Sequence, residues 1–254
     1  MDPSLVVVRL RAAGCVFAED EAQLLLDQAA SPADLESMVD RRAAGEPLEQ
    51  ILGWALFRGL RIAVEPGVFV PRRRTELLVE LAVSLLGTGS IVVDLCCGSG
   101  AIGAAIADAV DNLDLYAVDV DPAAVRCARR NVPPTARVYQ GDLYGPLPPT
   151  LKHRVRVLAA NVPYVPSDEI ANMPPEARDH EPRSALDGGA DGLDILRRVA
   201  ADAAAWLAPG GHLLIETSER QASYAMEVFA AAGLYAWVEE DDELGACVVI
   251  GRSG

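Results

Sequence analysis

The sequence predicts an α/β fold: an open, mainly parallel seven-stranded sheet with helices on both faces, preceded by a small helical unit. Three observations point there. Beyond Thr75, short apolar and β-branched runs alternate with helix-length segments. The first of those runs ends in a glycine-rich turn, Gly98-Ser99-Gly100. Residues 3–44 are instead rich in Ala, Leu, Glu and Arg, and Leu24, Leu25, Leu35, Met38 and Val39 recur at helical intervals. We therefore divide the chain into a helical N-terminal domain over 1–58, a β-hairpin linker over 59–74, and a sheet domain over 75–254 that carries the site.

The elements follow in order. Ser31-Pro32 reads as an N-cap with proline in the first helical turn. The β-branched segment 60–70 is broken by Pro66-Gly67, which predicts a hairpin across that break. Strands are predicted over 91–95, 113–119, 137–140, 155–160, 212–216, 234–239 and 246–250. Helices are predicted over 101–110, 122–131, 193–207 and 221–232; Asp121, ahead of Pro122, reads as an N-cap. Segments 146–149 and 163–182 are proline-rich loops. Such an alternation places the ligand crevice at the carboxyl ends of the strands.

Composition narrows the function classes. With 254 residues, 51% of them hydrophobic, the chain can bury a large core and a smaller accessory one. The formal net charge of -15 opposes sequence-independent capture of nucleic-acid phosphates. Five cysteines without a C-x-x-C pair, and no signal-peptide pattern, suggest a reducing cytoplasm and no structural zinc. The apolar run 5–10 is too short for a membrane span. His153, His180 and His212 are dispersed and read as surface or turn residues, so no metal site is expected.

The glycine-rich turn carries the first chemical signal. Gly98, Gly100 and Gly103, with Asp119 downstream, also match a dinucleotide-binding fingerprint. Charge separates the readings, because a pyrophosphate seeks N–H groups without a nearby anion and Asp94 would repel it. S-adenosylmethionine carries an ammonium and a sulfonium and no phosphate, so Asp94, Cys96, Gly98 and Gly100 predict a methyl-donor site. Asp119, closing the second strand, can accept both ribose hydroxyls, and Asp142, with Leu143 after the third strand, can take the adenine amino group. The second signal is Asn161-Val162-Pro163-Tyr164, directly after the fourth strand. The Asn161 side-chain oxygen and the Val162 carbonyl can accept both N–H bonds of a planar amide or amino group, and Tyr164 can stack on it.

These residues resemble the protein-glutamine N5-methyltransferases that modify peptide-chain release factors. The resemblance runs from about Glu49 to Arg252. Its landmarks are Gln50-Ile51-Leu52-Gly53, Val70-Pro71-Arg72 with Thr75-Glu76, the turn from Asp94 to Gly100, Asp119, Gly141-Asp142-Leu143 and the tetrapeptide Asn161 to Tyr164. Glu181-Pro182, Ala185-Leu186-Asp187-Gly188-Gly189, Asp191-Gly192-Leu193, Pro209-Gly210-Gly211 and the stretch from Glu216 to Gln221 complete it. The resemblance implies a class I, Rossmann-like methyltransferase sheet, S-adenosylmethionine as cofactor, and a glutamine-bearing protein, a release factor, as partner. Asn161, Val162, Pro163 and Tyr164 would be catalytic, and Arg72, Thr75 and Tyr164 would bind the substrate.

Three departures stand out. Cys96 replaces the first glycine of the usual loop, and Val162 replaces the first proline of the usual Asn-Pro-Pro-Tyr. Arg73-Arg74 replace a Pro-acid pair and make Arg72–Arg74 a basic cluster near the expected mouth, suited to an acidic protein partner. An adenine N6-methyltransferase would use the same amino-group geometry, but net acidity weighs against it. A nicotinamide-dependent oxidoreductase shares the glycines and is opposed by Asp94, while a non-catalytic nucleoside binder would have little use for Asn161 and Tyr164.

Overall fold

The structure, a computed structural model, describes residues 2–254. Met1 lies outside the described residues. Four helices lead the chain: α1 Pro3–Ala12, α2 Ala18–Gln28, α3 Pro32–Ala43 and α4 Leu48–Leu52. Val6, Leu10, Leu25, Leu35, Val39 and Ile51 meet in a core of their own. At α3, the Asp34 N–H donates to Ser31 Oγ at 3.1 Å with Pro32 in the first turn, as the sequence predicts.

A two-stranded hairpin follows, β1 Trp54–Phe57 and β2 Leu60–Ala63. It lies one element earlier than expected. The connecting turn is Arg58-Gly59, with φ of 47° and 79°, and Pro66-Gly67 only makes a later turn after the hairpin. The apolar run 54–57 is too short for periodicity to separate strand from helix, so β1 falls inside the stretch assigned to helices. We propose Gly53, which closes α4 at φ 78°, as the junction between the helical unit and the hairpin.

The remaining elements are α5 Glu76–Ser84, β3 Ile91–Leu95, α6 Ala101–Ala109, β4 Asp114–Asp119, α7 Pro122–Asn131, β5 Arg137–Gln140, β6 Val155–Ala160, α8 Pro175–His180, α9 Asp194–Trp206, β7 Leu207–Thr217, α10 Glu219–Ala231, β8 Tyr235–Asp241 and β9 Ala246–Arg252. The seven-stranded sheet has the order β5-β4-β3-β6-β7-β9-β8, parallel except for β9, which pairs antiparallel with both neighbours. Period-two alternation divides its core. Val93, Leu95 and Leu158 pack with Leu196, Val199 and Phe229 of α9 and α10 on one face. Val92, Val157 and Leu214 pack with Leu78, Ile102 and Ile106 of α5 and α6 on the other.

Strand register aligns the carboxyl ends: Leu95 lies opposite both Val118 and Ala160, and Asp119 lies opposite Gln140. Strand order reverses between β3 and β6, which opens a crevice there. His212 differs from its expected surface position, since it sits in β7 at 6% exposure, edge-on to Trp237. Among the described residues, no helix is long and apolar enough to cross a membrane.

Candidate active site

A cavity of about 560 Å³ opens at the carboxyl ends of β3, β4, β5 and β6. Its walls include Cys96, Gly98, Asp119, Asp142 and Leu143 at one end. Arg72, Arg74, Thr75 and the tetrapeptide Asn161 to Tyr164 line the other. The structure thus brings together most of the residues singled out in the sequence. Asp94 and Gly100 are not on the wall.

The turn begins where β3 ends. Cys96 adopts φ 55°, in the left-handed region where glycine is at ease, so cysteine keeps the turn at a cost of about 1–2 kcal/mol. Gly100 has φ 78°, and a Cβ there would come within 3.0 Å of the Ala128 backbone on α7. Its role is therefore close packing of turn against helix.

Asp94 corrects the direct-contact expectation. It shares a sheet face with Val92, at 0% exposure, and its Oδ2 accepts the Gly103 N–H at 2.9 Å. It braces the start of α6 beneath the turn. Burial pushes its carboxyl up to about 7 from an ordinary value near 3.8. Between those values the unfolded carboxyl ionises while the folded one keeps its proton, so rising pH removes stability, by up to about 1.4 kcal/mol per unit. Asp94→Asn escapes that loss. Its melting temperature relative to wild type is therefore expected to rise from pH 5 to pH 8, whatever constant offset the amide introduces; a difference independent of pH would contradict this.

Asp119 lies at the cavity with both oxygens engaged: Oδ2 accepts the Gly98 N–H at 2.8 Å, and Oδ1 accepts the Asp121 N–H at 2.9 Å. Burial holds its carboxyl above the ordinary range, and these N–H donors offset only part of that rise. Each oxygen retains a lone pair for a ligand hydroxyl. Asp121 caps α7 through the Ala123 N–H at 2.7 Å, as expected. Asp142 is exposed and paired with Arg198 at 2.6 Å, while Leu143 adopts φ 46° at the wall.

At the other end, Asn161 Nδ2 donates to Thr75 Oγ1 at 3.4 Å, which leaves its Oδ1 as the acceptor toward the cavity. The Val162 and Pro163 side chains are buried. Val165 N–H donates to Leu186 O and Gly188 N–H to Val165 O, tying the tetrapeptide's exit to the loop 185–193. Asp187 gathers that loop by accepting Ser167 Oγ–H at 2.6 Å and the Gly189 N–H at 3.0 Å.

The basic cluster is mostly committed internally. Arg72 donates to both oxygens of buried Glu181, at 2.6 and 2.7 Å. Arg74 Nε donates to Glu216 Oε1 at 3.0 Å, and a terminal nitrogen donates to the Tyr164 hydroxyl. Among the described residues, Arg73 alone of the three is exposed without an ion pair, so the cluster is not the open patch expected for an acidic partner. Sequence reasoning gave no role to Glu216 or Gln221. Gln221 Nε2 donates to Tyr164 O and Asp191 O, each at 3.0 Å, which joins two distant landmarks.

Comparisons with known proteins bear on the family and the fold. A family model described as "Methyltransferase small domain" matches residues 59–166. A release factor glutamine methyltransferase of Geobacter sulfurreducens is 36% identical over 89% of this chain and 80% of its own length. Its counterpart in Gloeobacter violaceus is 40% identical over 74% and 68%. A 4-amino-L-phenylalanine/4-methylamino-L-phenylalanine methyltransferase of Streptomyces pristinaespiralis is 37% identical over 77% and 69%. Among solved structures, a methyltransferase of Pyrococcus furiosus shares the fold at TM-score 0.58 and 17% identity, covering 86% of this chain and 99% of that one. At these identities and over these lengths of the curated relatives, the chain belongs to the release factor glutamine methyltransferase family.

Proposed function

We propose that this protein transfers a methyl group from S-adenosylmethionine to the side-chain amide nitrogen of a glutamine in a peptide-chain release factor. The observation that carries this reading is Asn161, set at the end of β6 with its amide oriented by Thr75, in the same cavity as Asp119. The donor set fits the cofactor. Asp119 and Asp121, beside an Asp142 paired with Arg198, leave that end of the cavity net acidic, which suits hydroxyls and an ammonium and disfavours phosphate.

When bound, S-adenosylmethionine supplies an electrophilic methyl on a positive sulfonium. The chain's own residues supply position. A glutamine amide is a poor nucleophile because its lone pair is delocalised into the carbonyl. Asn161 Oδ1 accepts one of its N–H bonds and the Val162 carbonyl, which accepts no hydrogen bond among the described residues, takes the other. Held at two points, the nitrogen faces the donor, and Tyr164 covers the planar group. Its proton becomes acidic as the new bond forms, so no strong base is required.

The Streptomyces relative favours a second reading, a free aromatic amine as acceptor, since an aniline nitrogen is also planar and conjugated. Radiolabelled donor offered with a release factor and with 4-amino-L-phenylalanine separates the two. Label in protease-sensitive material supports the first; label only in the free amine, or in nuclease-sensitive material, overturns it. Asp119→Ala is expected to weaken donor binding about ten- to a hundredfold, by removing charged hydrogen bonds and loosening the Gly98 turn. Calorimetry tests this, and a preference of the wild type for NAD would refute the donor assignment.

A further inference from the structure

Two consecutive residues ahead of α5 hold both ends of the acceptor tetrapeptide. Thr75 receives the Asn161 amide, and Arg74 donates to the Tyr164 hydroxyl. Arg74 is itself aimed by Glu216, whose side chain is 1% exposed and whose Oε1 accepts from Arg74 Nε at 3.0 Å. The guanidinium carbon lies 5.7 Å from the centre of the Tyr164 ring. Tyr164 is pinned from behind as well, its carbonyl accepting from Gln221 Nε2. Glu216 is the penultimate residue of β7 and Gln221 lies in the first turn of α10, so one strand-to-helix junction supports the ring and its backbone together.

Resting on the acceptor-site reading above, we infer that Arg74 is a positioning residue: it fixes the plane of the Tyr164 ring over the acceptor nitrogen. A clamp matters here because Val162 holds φ less tightly in the middle of the tetrapeptide than a proline would. The Tyr164 ring also needs a determined tilt, since stacking on a planar amide orients it only when the ring itself does not rotate. Arginine suits the task because its planar fork can engage Glu216 through one nitrogen and the phenol through another. Lysine is a single point charge and can satisfy Glu216 without reaching Tyr164.

The test is a double-mutant cycle between Arg74→Lys and Tyr164→Phe, with methyl transfer to a release-factor glutamine and hydrogen exchange of residues 161–165 as readouts. Arg74→Lys retains a cation beside buried Glu216, which preserves folding. Each single variant is expected to lower kcat about tenfold with donor affinity unchanged, and the double variant to be no worse than either single one. Exchange over 161–165 is expected to accelerate in Arg74→Lys, and Val162→Pro in that background to restore part of kcat. Additive losses, or unchanged exchange, would overturn the inference by showing that Arg74 only neutralises Glu216. Should the wild type methylate no glutamine, the functional reading fails, while the exchange measurement still decides whether Arg74 clamps Tyr164.

Discussion

Replacing Asn161 with alanine is expected to lower turnover at least about a hundredfold while leaving affinity for S-adenosylmethionine nearly unchanged. The change removes the side-chain oxygen proposed to receive one amide hydrogen of the acceptor. Its effect is therefore concentrated where the amide must be aligned for attack. Thr75 loses a hydrogen-bond donor, but at 3.4 Å that bond is long, so the fold should tolerate the loss. Single-turnover kinetics with donor-saturated enzyme, alongside calorimetry of donor binding, read the two quantities separately. Loss of donor affinity with the rate per bound donor intact would place Asn161 on the donor instead.

The second large effect is expected at a glycine packed against the Tyr164 backbone. Gly192 has φ 77°, and a Cβ there would lie 2.2 Å from the Tyr164 carbonyl oxygen and 2.3 Å from Gln221 Nε2. Gly192→Ala must therefore move the Tyr164 backbone or break the Gln221 bridge, on top of a left-handed backbone that alanine resists. Together these cost about 2–4 kcal/mol, and displacement of Tyr164 should lower kcat as well. Gly87→Ala is the matched control, since its added Cβ meets nothing within 4 Å and its φ is not left-handed. Its stability should stay within about 0.5 kcal/mol of wild type. Urea unfolding of both variants checks the contrast, and equal stability would remove Gly192 from the support of the site.

Some of this was legible in the sequence for definite reasons. β3, β4, β5 and β6 stand out because each apolar run ends in a polar or glycine-bearing turn, and those ends are where the ligand crevice forms. Asp119 and Asn161 are readable as cavity-lining residues because their places follow from their own strands. Asp94 lies near a strand end as the sequence predicts, but it turns away from the cavity to the Gly103 N–H. Its alternation with Val93 and Leu95 puts it with Val92, beneath α6 and off the cavity wall. β1 was hidden by its four-residue length, and β7 starts early because Pro209-Gly210-Gly211 reads as a turn although the strand runs through it. The unit formed by Arg74, Glu216 and Tyr164 joins residues separated by 142 and 90 positions. No local pattern announces such a cluster: Tyr164 and Glu216 fall in separate landmarks, and nothing in the sequence joins them to Arg74.

The most direct test is to map the methyl group. Purified protein, S-adenosylmethionine and a purified bacterial release factor are incubated together, and the digested release factor is sequenced by mass spectrometry, with Asn161→Ala in parallel. The predicted result is one methyl on the side-chain amide of a single glutamine, absent with the variant. A release factor left unmodified while 4-amino-L-phenylalanine is methylated, or a methyl on any other residue type, would contradict the proposed function.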